Sequence, residues 1–63
     1  MYQRCNLWKI QMSSLYPNDK RSSDTYWGYN FSEAKARDAA LMWLAIKQGG
    51  SSIDTIVSVD LIV

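Results

Sequence analysis

The sequence predicts an α+β fold with the element order ββαβ, a three-stranded antiparallel sheet with one helix packed on one face. Three observations predict it. In residues 53–63, every second residue from Ile53 to Val63 is apolar or Thr and nearly all of these are β-branched, which is the clearest strand pattern in the chain. Residues 32–48 carry a helical pattern between a serine and a glycine. Residues 1–12 and 25–31 interleave polar and apolar residues at strand spacing, and all 63 residues are expected to form a single domain.

The first predicted strand covers residues 1–12, in which Trp8, Ile10 and Met12 share one parity. Because successive side chains of a strand point to opposite faces, these three are expected on the same face. Cys5 has the other parity. It is either a small buried hydrophobe or a reactive thiol, and its strand position favours the buried hydrophobe.

A long exposed loop is predicted between the first two strands, over residues 13–24. The stretch "SSLYPNDKRSSD" is rich in residues that favour turns. A loop longer than the usual hairpin connection is often functional. The second strand is predicted over residues 25–31, where Gly28 indicates a bulge or a close approach by another backbone.

The helix predicted over residues 32–48 has clear signals at both ends. Ser32 is a suitable N-cap, and Gly49 follows the last helical residue as a terminator. Glu33 and Lys47 lie where the helix dipole favours their charges. At about 100° per residue, one broad face is expected to pack on the sheet. That face contains Ala36, Ala39, Ala40, Trp43, Leu44 and Ile46.

The aromatic residues of the second strand allow two interpretations. In the structural one, Trp27, Tyr29 and Phe31 pack with Trp43 between sheet and helix. In the functional one, they form a platform on which nucleic-acid bases stack. Tyr26 has the opposite parity, so it is expected on the sheet face that the helix leaves uncovered, called the open face below.

Catalysis is not expected from this composition. The chain has no histidine and one cysteine, which excludes a catalytic triad, a disulfide within one chain and the usual zinc sites. Asp54 and Asp60 share a predicted strand face but lie about 20 Å apart along it, too far for a carboxylate pair. No glycine-rich phosphate loop precedes the helix. We therefore expect neither an enzyme nor a cofactor or metal site.

Charge and hydropathy predict a soluble, cytoplasmic protein without a membrane partner. The net charge of +1 is too small to indicate generic nucleic-acid binding. Residues 1–12 contain no apolar block, so no signal peptide is expected. No apolar run approaches the roughly 18 residues that span a bilayer. The single cysteine agrees with a reducing compartment.

Two regions are candidates for binding a partner. The predicted loop carries Lys20 and Arg21, either as a solvated hairpin tip or as a contact for phosphate or acidic side chains. The open face is expected to expose Ile56, Ile62 and Trp8, and apolar patches of this kind usually mark interfaces. Dimerisation through this face or through an edge strand is a further hypothesis. The candidate binding residues are Tyr2, Arg4, Asp19, Lys20, Arg21, Tyr26, Ile56 and Ile62.

Two resemblances concern the stretch "FSEAKARDAALMWL". It is similar to the second helix of double-stranded-RNA-binding domains, although that family's first helix and paired-lysine helix start have no counterpart here. The cap followed by "EAK", the alanine-rich turns and the terminal β-branched strand resemble small phage and mobile-element accessory proteins, including anti-CRISPR proteins. This second resemblance lies in architecture and implies a binder that blocks or modulates a larger host machine, in the host cytoplasm if the gene is phage-encoded.

The chain is accordingly expected to be a non-catalytic binding protein, an inhibitor or regulator that docks on a protein partner. One alternative is a small nucleic-acid-binding module that uses Arg4, Lys20, Arg21 and Tyr26. Another is a structural homodimer or assembly subunit. Salt separates the first two, because a protein that contacts several phosphates loses affinity steeply as salt rises.

Overall fold

The computed structural model describes residues 4–63 and contains three strands and one helix. The strands form one antiparallel sheet with β1 at its centre, in the order β2-β1-β3, and the helix packs on one face. The predicted α+β fold with ββαβ order is therefore confirmed. In chain order, the elements are β1 (Asn6–Leu15), β2 (Arg21–Asn30), α1 (Glu33–Gln48) and β3 (Ile53–Leu61).

The connection between β1 and β2 is a tight turn. β1 continues to Leu15 and β2 begins at Arg21, so the long loop predicted over residues 13–24 is wrong. The Tyr16 N–H donates to the Lys20 carbonyl over 2.8 Å and closes the hairpin. The serines of this stretch favour turns by their intrinsic preference. They are nevertheless paired between β1 and β2, because strand context outweighs that preference.

The beginning of β1 also differs from the prediction. The strand starts at Asn6, and residues 1–3 lie outside the described part of the chain. Cys5 precedes the strand and is exposed, so the expectation of a small buried hydrophobe is wrong. A residue outside the ladder is not held under the helix, which explains the exposure of its thiol.

β3 pairs with β1 through a bulge. Gln11 lies opposite Ser58, whereas the next residue of β1, Met12, lies opposite Ile56. Val57 is therefore an extra residue with no partner on β1. The residues of β3 that face α1 have even numbers before Val57, such as Ile56, and odd numbers after it, such as Val59. The uniform alternation predicted for this strand is wrong for that reason.

Both ends of α1 are capped as predicted. The Ser32 backbone is extended, and its hydroxyl accepts a hydrogen bond from the Lys35 N–H over 3.3 Å. Gly49 has a φ of 72°, in the left-handed region where a residue without Cβ is favoured. The Gly50 N–H then donates to the Ala45 carbonyl over 3.1 Å. Local signals in the sequence thus fix where this helix begins and ends.

The core between α1 and the sheet is small. Small helix residues let the helix backbone lie close to the central strand. The buried apolar residues are Trp8, Ile10 and Met12 from β1, with Ala36, Ala40 and Leu44 from α1. Partly buried residues pack around them, namely Tyr26, Leu41, Ile56 and Val59.

Three apolar residues lie in positions that differ from those predicted for them. Ile46 is exposed on the outer side of α1, and Trp43 is 37% exposed at its flank. The helix contacts the sheet along the narrow line Ala36–Ala40–Leu44, so a broad helix face is not covered. Trp8, expected on the open face, is only 8% exposed because it shares the parity of the buried Ile10.

Gly28 accommodates a neighbouring side chain. A Cβ built on this residue would overlap the phenol ring of Tyr26, two residues earlier on the same strand. Register between β1 and β2 is continuous through this position, so there is no bulge. The close approach that the sequence indicated is made by a side chain rather than by another backbone.

Candidate binding surface

The open face of the sheet carries exposed aromatic residues. Trp27 is 55% exposed and Tyr29 is 69% exposed on the side of β2 that is turned away from α1. Phe31, just after the strand, is also exposed. The interpretation that places these three residues between sheet and helix is therefore wrong.

Register with β1 determines which aromatic residues are exposed. Tyr26 lies opposite Ile10, which is fully buried, and Trp27 lies opposite Lys9. Directly opposite residues of antiparallel strands point to the same face. Tyr26 therefore packs on the core, with its ring centroid 5.7 Å from that of Trp43. The prediction that Tyr26 lies on the open face is wrong.

One end of the open face, called the aromatic end, consists of Leu7, Lys9, Trp27, Tyr29 and Ile62. Leu7 lies opposite Tyr29. The Lys9 Nζ lies 5.4 Å from the centroid of the Trp27 ring, within cation–π distance. The Ile62 N–H donates to the Leu7 carbonyl over 2.9 Å, which brings this predicted binding residue to the aromatic end.

Phe31 follows the end of β2 and is exposed. Trp27 and Tyr29 are two residues apart on β2, which corresponds to a step of roughly 7 Å along the strand. The Lys35 Nζ lies 5.7 Å from the centroid of the Phe31 ring. Arg4, another predicted binding residue, is exposed and lines a shallow hollow with Phe31 and Lys35. Cationic side chains thus lie beside Trp27 on the open face and beside Phe31 after the strand.

The opposite end, called the aliphatic end, consists of Leu15, Arg21, Ile53 and Val57. Leu15 lies opposite Arg21 on one side and opposite Ile53 on the other. Together with the adjoining Ser13 and Thr55, the four residues line a hollow of about 300 Å³. Polar residues separate the two ends of the open face, namely Gln11, Ser13, Ser23, Thr25, Thr55 and Ser58.

The turn after β1 contains predicted binding residues of two kinds. Asp19 has a φ of 63°, and the Lys20 N–H donates to the Asn18 Oδ1 over 3.2 Å, so the tip has ordinary turn geometry. Within residues 4–63, neither Lys20 nor Arg21 takes part in an ion pair. Arg21 belongs to the aliphatic end of the open face, whereas Asp19 and Lys20 lie at the exposed tip.

Ile56 and Tyr2 are the remaining residues of the predicted binding set. Ile56 faces α1 and packs against the core, because the bulge at Val57 inverts the alternation of β3. The prediction that Ile56 is exposed on the open face is wrong. Tyr2 lies outside the residues that the structure describes.

The acidic residues under α1 have structural partners. Asp54 accepts hydrogen bonds from the Ser14 hydroxyl over 2.9 Å and from the Ser52 hydroxyl over 2.7 Å. Asp24 accepts from Lys47 and from Gln48. Among the described residues, no group of three His, Cys, Asp or Glu side chains could hold a metal ion. The same part of the chain has no helix with the length and hydropathy needed to cross a membrane.

The predicted binding residues leave out most of the open face, namely Lys9, Trp27, Tyr29, Ile53 and Val57. Lys9 could have indicated which residues lie on the open face, because the charged group of a lysine is rarely buried between a central strand and a helix. Residues opposite Lys9 must share its face. Placing Lys9 on the open face would have placed Trp27 there as well.

Comparison of the chain with protein-family models, with curated proteins and with solved structures gave no match.

Proposed function

We propose that this chain is a non-catalytic binding protein that docks the open face of its sheet on a protein partner, as an inhibitor or regulator. The proposal depends on the exposure of Trp27 and Tyr29, side by side on a sheet face that no other described segment covers. Aromatic residues are enriched in protein interfaces and often supply much of the binding energy. Docking of this kind agrees with the resemblance to small phage and mobile-element accessory proteins.

The distribution of apolar residues supports a docking surface. Within residues 4–63, six apolar residues are buried and eleven large apolar residues are exposed. Single exposed apolar residues are normal, but contiguous patches mark interaction sites. The exposed residues that lie on the open face are Trp27, Tyr29, Ile53, Val57 and Ile62.

The charges on the open face favour a protein partner over a nucleic acid. Lys9 lies opposite the acidic Asp60, so only Arg21 is left without a nearby opposite charge in the register of this face. Protein interfaces combine apolar side chains with polar ones, as this face does. A surface selected for phosphate would carry a larger basic excess.

The size of the open face indicates how a partner would contact it. Three strands about 4.8 Å apart and about 33 Å long cover roughly 480 Å². A standard interface buries about 800 Å² on each partner. The partner is therefore expected to reach flanking side chains as well, such as Phe31 at one end and Lys20 at the other.

Affinity capture with matched variants tests this proposal. Trp27→Ser with Tyr29→Ser removes exposed aromatic area from the open face. Met42→Ser with Ile46→Ser removes exposed apolar area from the outer side of α1. Neither pair belongs to the buried core, so both variants should fold.

We expect the wild type and the helix variant to capture the same protein, and the open-face variant to bind it roughly 30-fold more weakly or worse. Equal binding by both variants would contradict the proposal. So would loss of binding in the helix variant alone, because that result would place the contact on α1.

A nucleic-acid-binding module is the second candidate, and one observation favours it. Trp27, Tyr29 and Phe31 are all exposed, and lysine side chains lie 5.4 Å from the centroid of the Trp27 ring and 5.7 Å from that of the Phe31 ring. Exposed aromatic rings beside cations are the elements with which proteins bind single-stranded nucleic acid.

Nuclease treatment and salt separate the two candidates. A protein partner held by the open face should be captured equally well after nuclease treatment and only modestly less at high salt. Binding of a single strand through several phosphates should weaken steeply as salt rises. Capture that collapses after nuclease treatment would replace the first candidate with the second.

A further inference from the structure

The outer edge of β2 is a strand edge with no partner strand among residues 4–63. β2 and β3 are the two edge strands of the sheet, and the bulge at Val57 disrupts the edge of β3. β2 has ten residues, pairs with β1 without a bulge, and contains neither proline nor lysine. Such an edge is a template for pairing with another strand.

The hairpin determines which backbone groups β2 offers at this edge. The Tyr16 N–H bonds to the Lys20 carbonyl. Because bonded and non-bonded pairs alternate in an antiparallel ladder, the even-numbered residues of β2 direct their N–H and C=O groups to β1. The odd-numbered residues from Arg21 to Tyr29 direct theirs to the free edge.

Two buried polar atoms on the same strand have no hydrogen-bond partner. Within residues 4–63, the Ser22 Oγ and the Asn30 Nδ2 are the only buried side-chain nitrogen or oxygen atoms without a hydrogen-bond partner. Both residues share the parity of Tyr26 and thus the helix side of the sheet. Buried polar groups normally have partners, so two exceptions on one edge strand call for an explanation.

We infer that two copies of this chain pair through their β2 edges, antiparallel, with Tyr26 opposite Tyr26 of the second copy. In this register, Ser22 lies opposite Asn30 of the second copy, and Asn30 lies opposite its Ser22. These are non-bonded pairs, in which the Cα atoms are only about 4.5 Å apart. In the single chain, the Ser22 Oγ and the Asn30 Nδ2 are both buried. The side chain of Ser22 or Asn30 must therefore rotate before the two atoms can meet across the two copies.

The same register brings no like charges together. Each charged residue of β2 lies opposite an uncharged residue of the second copy. Two of the bonded pairs place Tyr29 opposite Ser23 and Trp27 opposite Thr25, and a pair of an aromatic with a β-branched residue, such as Thr25–Trp27, stabilises a sheet. The pairs between the two copies are Arg21–Phe31, Ser23–Tyr29, Asp24–Gly28 and Thr25–Trp27.

The resulting dimer has a six-stranded sheet with both helices on one side. Opposite residues have the same parity, so the two sheets present their helix faces in the same direction. Trp43 lies against Tyr26 and is partly exposed, and Tyr26 is on the two-fold axis. The second copy therefore covers exposed area of Trp43. Both open faces remain free, so dimerisation is independent of the proposed docking function.

The contact is narrow. An edge of ten residues is about 33 Å long, and with a sheet about 10 Å thick it buries roughly 330 Å² on each copy. Stable dimers bury about 800 Å² on each partner. The dimer is therefore expected to form only at high protein concentration.

Amide hydrogen exchange of the full chain, with sedimentation at the same concentrations, tests the inference. As the mass rises towards that of a dimer, the amides of Ser23, Thr25 and Trp27 should exchange roughly tenfold more slowly or slower still. The amides of Asp54 and Ile56 are the internal control, because the same alternation directs them to the edge of β3. Their exchange should not change.

Two results would overturn the inference. One is the mass of a monomer at every concentration up to the solubility limit. The other is a dimer in which the β2 amides exchange as fast as in the monomer, and slower exchange of Asp54 and Ile56 would then assign the contact to β3.

Cysteine cross-linking tests the register. Ser22→Cys with Asn30→Cys, in a Cys5→Ser background, should give a disulfide-linked dimer on oxidation, and neither single variant should. Within one chain these positions are about 26 Å apart along β2, too far for a disulfide. If the wild type dimerises but the double variant does not cross-link, the register centred on Tyr26 is wrong.

Discussion

Gly28 allows Tyr26 to reach the helix. The Tyr26 ring lies across Gly28 and against Trp43. Gly28 is not among the residues with positive φ, so its role is to leave space rather than to permit an unusual backbone conformation. A methyl group at this position must displace the Tyr26 ring, which packs beside the core.

Gly28→Ala should destabilise the protein by about 1–3 kcal/mol, since an added methyl group forces rearrangement of a packed ring. Urea unfolding measures the free energy, and near-ultraviolet circular dichroism should report the altered packing of Tyr26 and Trp43. Ser23→Ala, on the exposed side of the same strand, is the control and should change the free energy of unfolding by less than about 0.5 kcal/mol. Unchanged stability and spectrum in Gly28→Ala would refute this placement of Tyr26.

The face of each β2 residue was only partly predictable. The sequence correctly separates Trp27 and Tyr29 from Tyr26 by parity. It does not show which parity faces the helix, since both include aromatic residues. The buried Ile10 opposite Tyr26 makes that choice, so it depends on pairing between strands rather than on the local sequence.

Among the elements, α1 was the most predictable and β3 the least. The helix is bounded by Ser32 and Gly49, whose capping chemistry is local and visible in the sequence. The bulge in β3 has no such signal, because Val57 becomes an extra residue only through pairing with β1. One extra residue was enough to exchange the expected faces of Ile56 and its neighbours.

Leu44→Ala should destabilise the protein more than Trp43→Ala. Leu44 is fully buried on the line of α1 that contacts the sheet, so its truncation leaves a cavity and should cost about 2–5 kcal/mol. Trp43 is partly exposed at the flank, and its truncation should cost less, about 1–3 kcal/mol. Denaturant unfolding of the two variants under the same conditions gives the comparison.

Ile46→Ala is the matched control for this pair, since Ile46 lies on the same helix but is exposed. Its free energy of unfolding should remain close to that of the wild type. A larger loss in Trp43→Ala than in Leu44→Ala would mean that α1 is rotated from the orientation described.

At the scale of the whole molecule, the sequence was sufficient for the fold but not for the surface. Alternating strands, one capped helix and a short chain leave few alternatives to a two-layer ββαβ arrangement. The position of the exposed aromatic residues required the register of all three strands. The open face was expected, but of the apolar residues expected on it only Ile62 lies there.

The whole molecule has more apolar surface than one helix can cover. Domains of this size bury only about 60% of the surface that their unfolded chains expose, so stability is expected to be marginal. The open face is proposed to bind a partner protein, and the β2 edge is proposed to pair with a second copy. The two contacts use different groups of the same strand, because a partner protein would cover the side chains of Trp27 and Tyr29, whereas a second copy would bond to their backbone.

Hydroxyl-radical footprinting, with and without the partner obtained by affinity capture, tests the central claim most directly. In the free protein, Trp27 should be oxidised faster than the buried Trp8. With the partner bound, Trp27 and Tyr29 should be protected while Met42 stays reactive. Protection of Met42 with no change at Trp27 would contradict docking through the open face, and equal reactivity of Trp27 and Trp8 in the free protein would contradict the fold on which it rests.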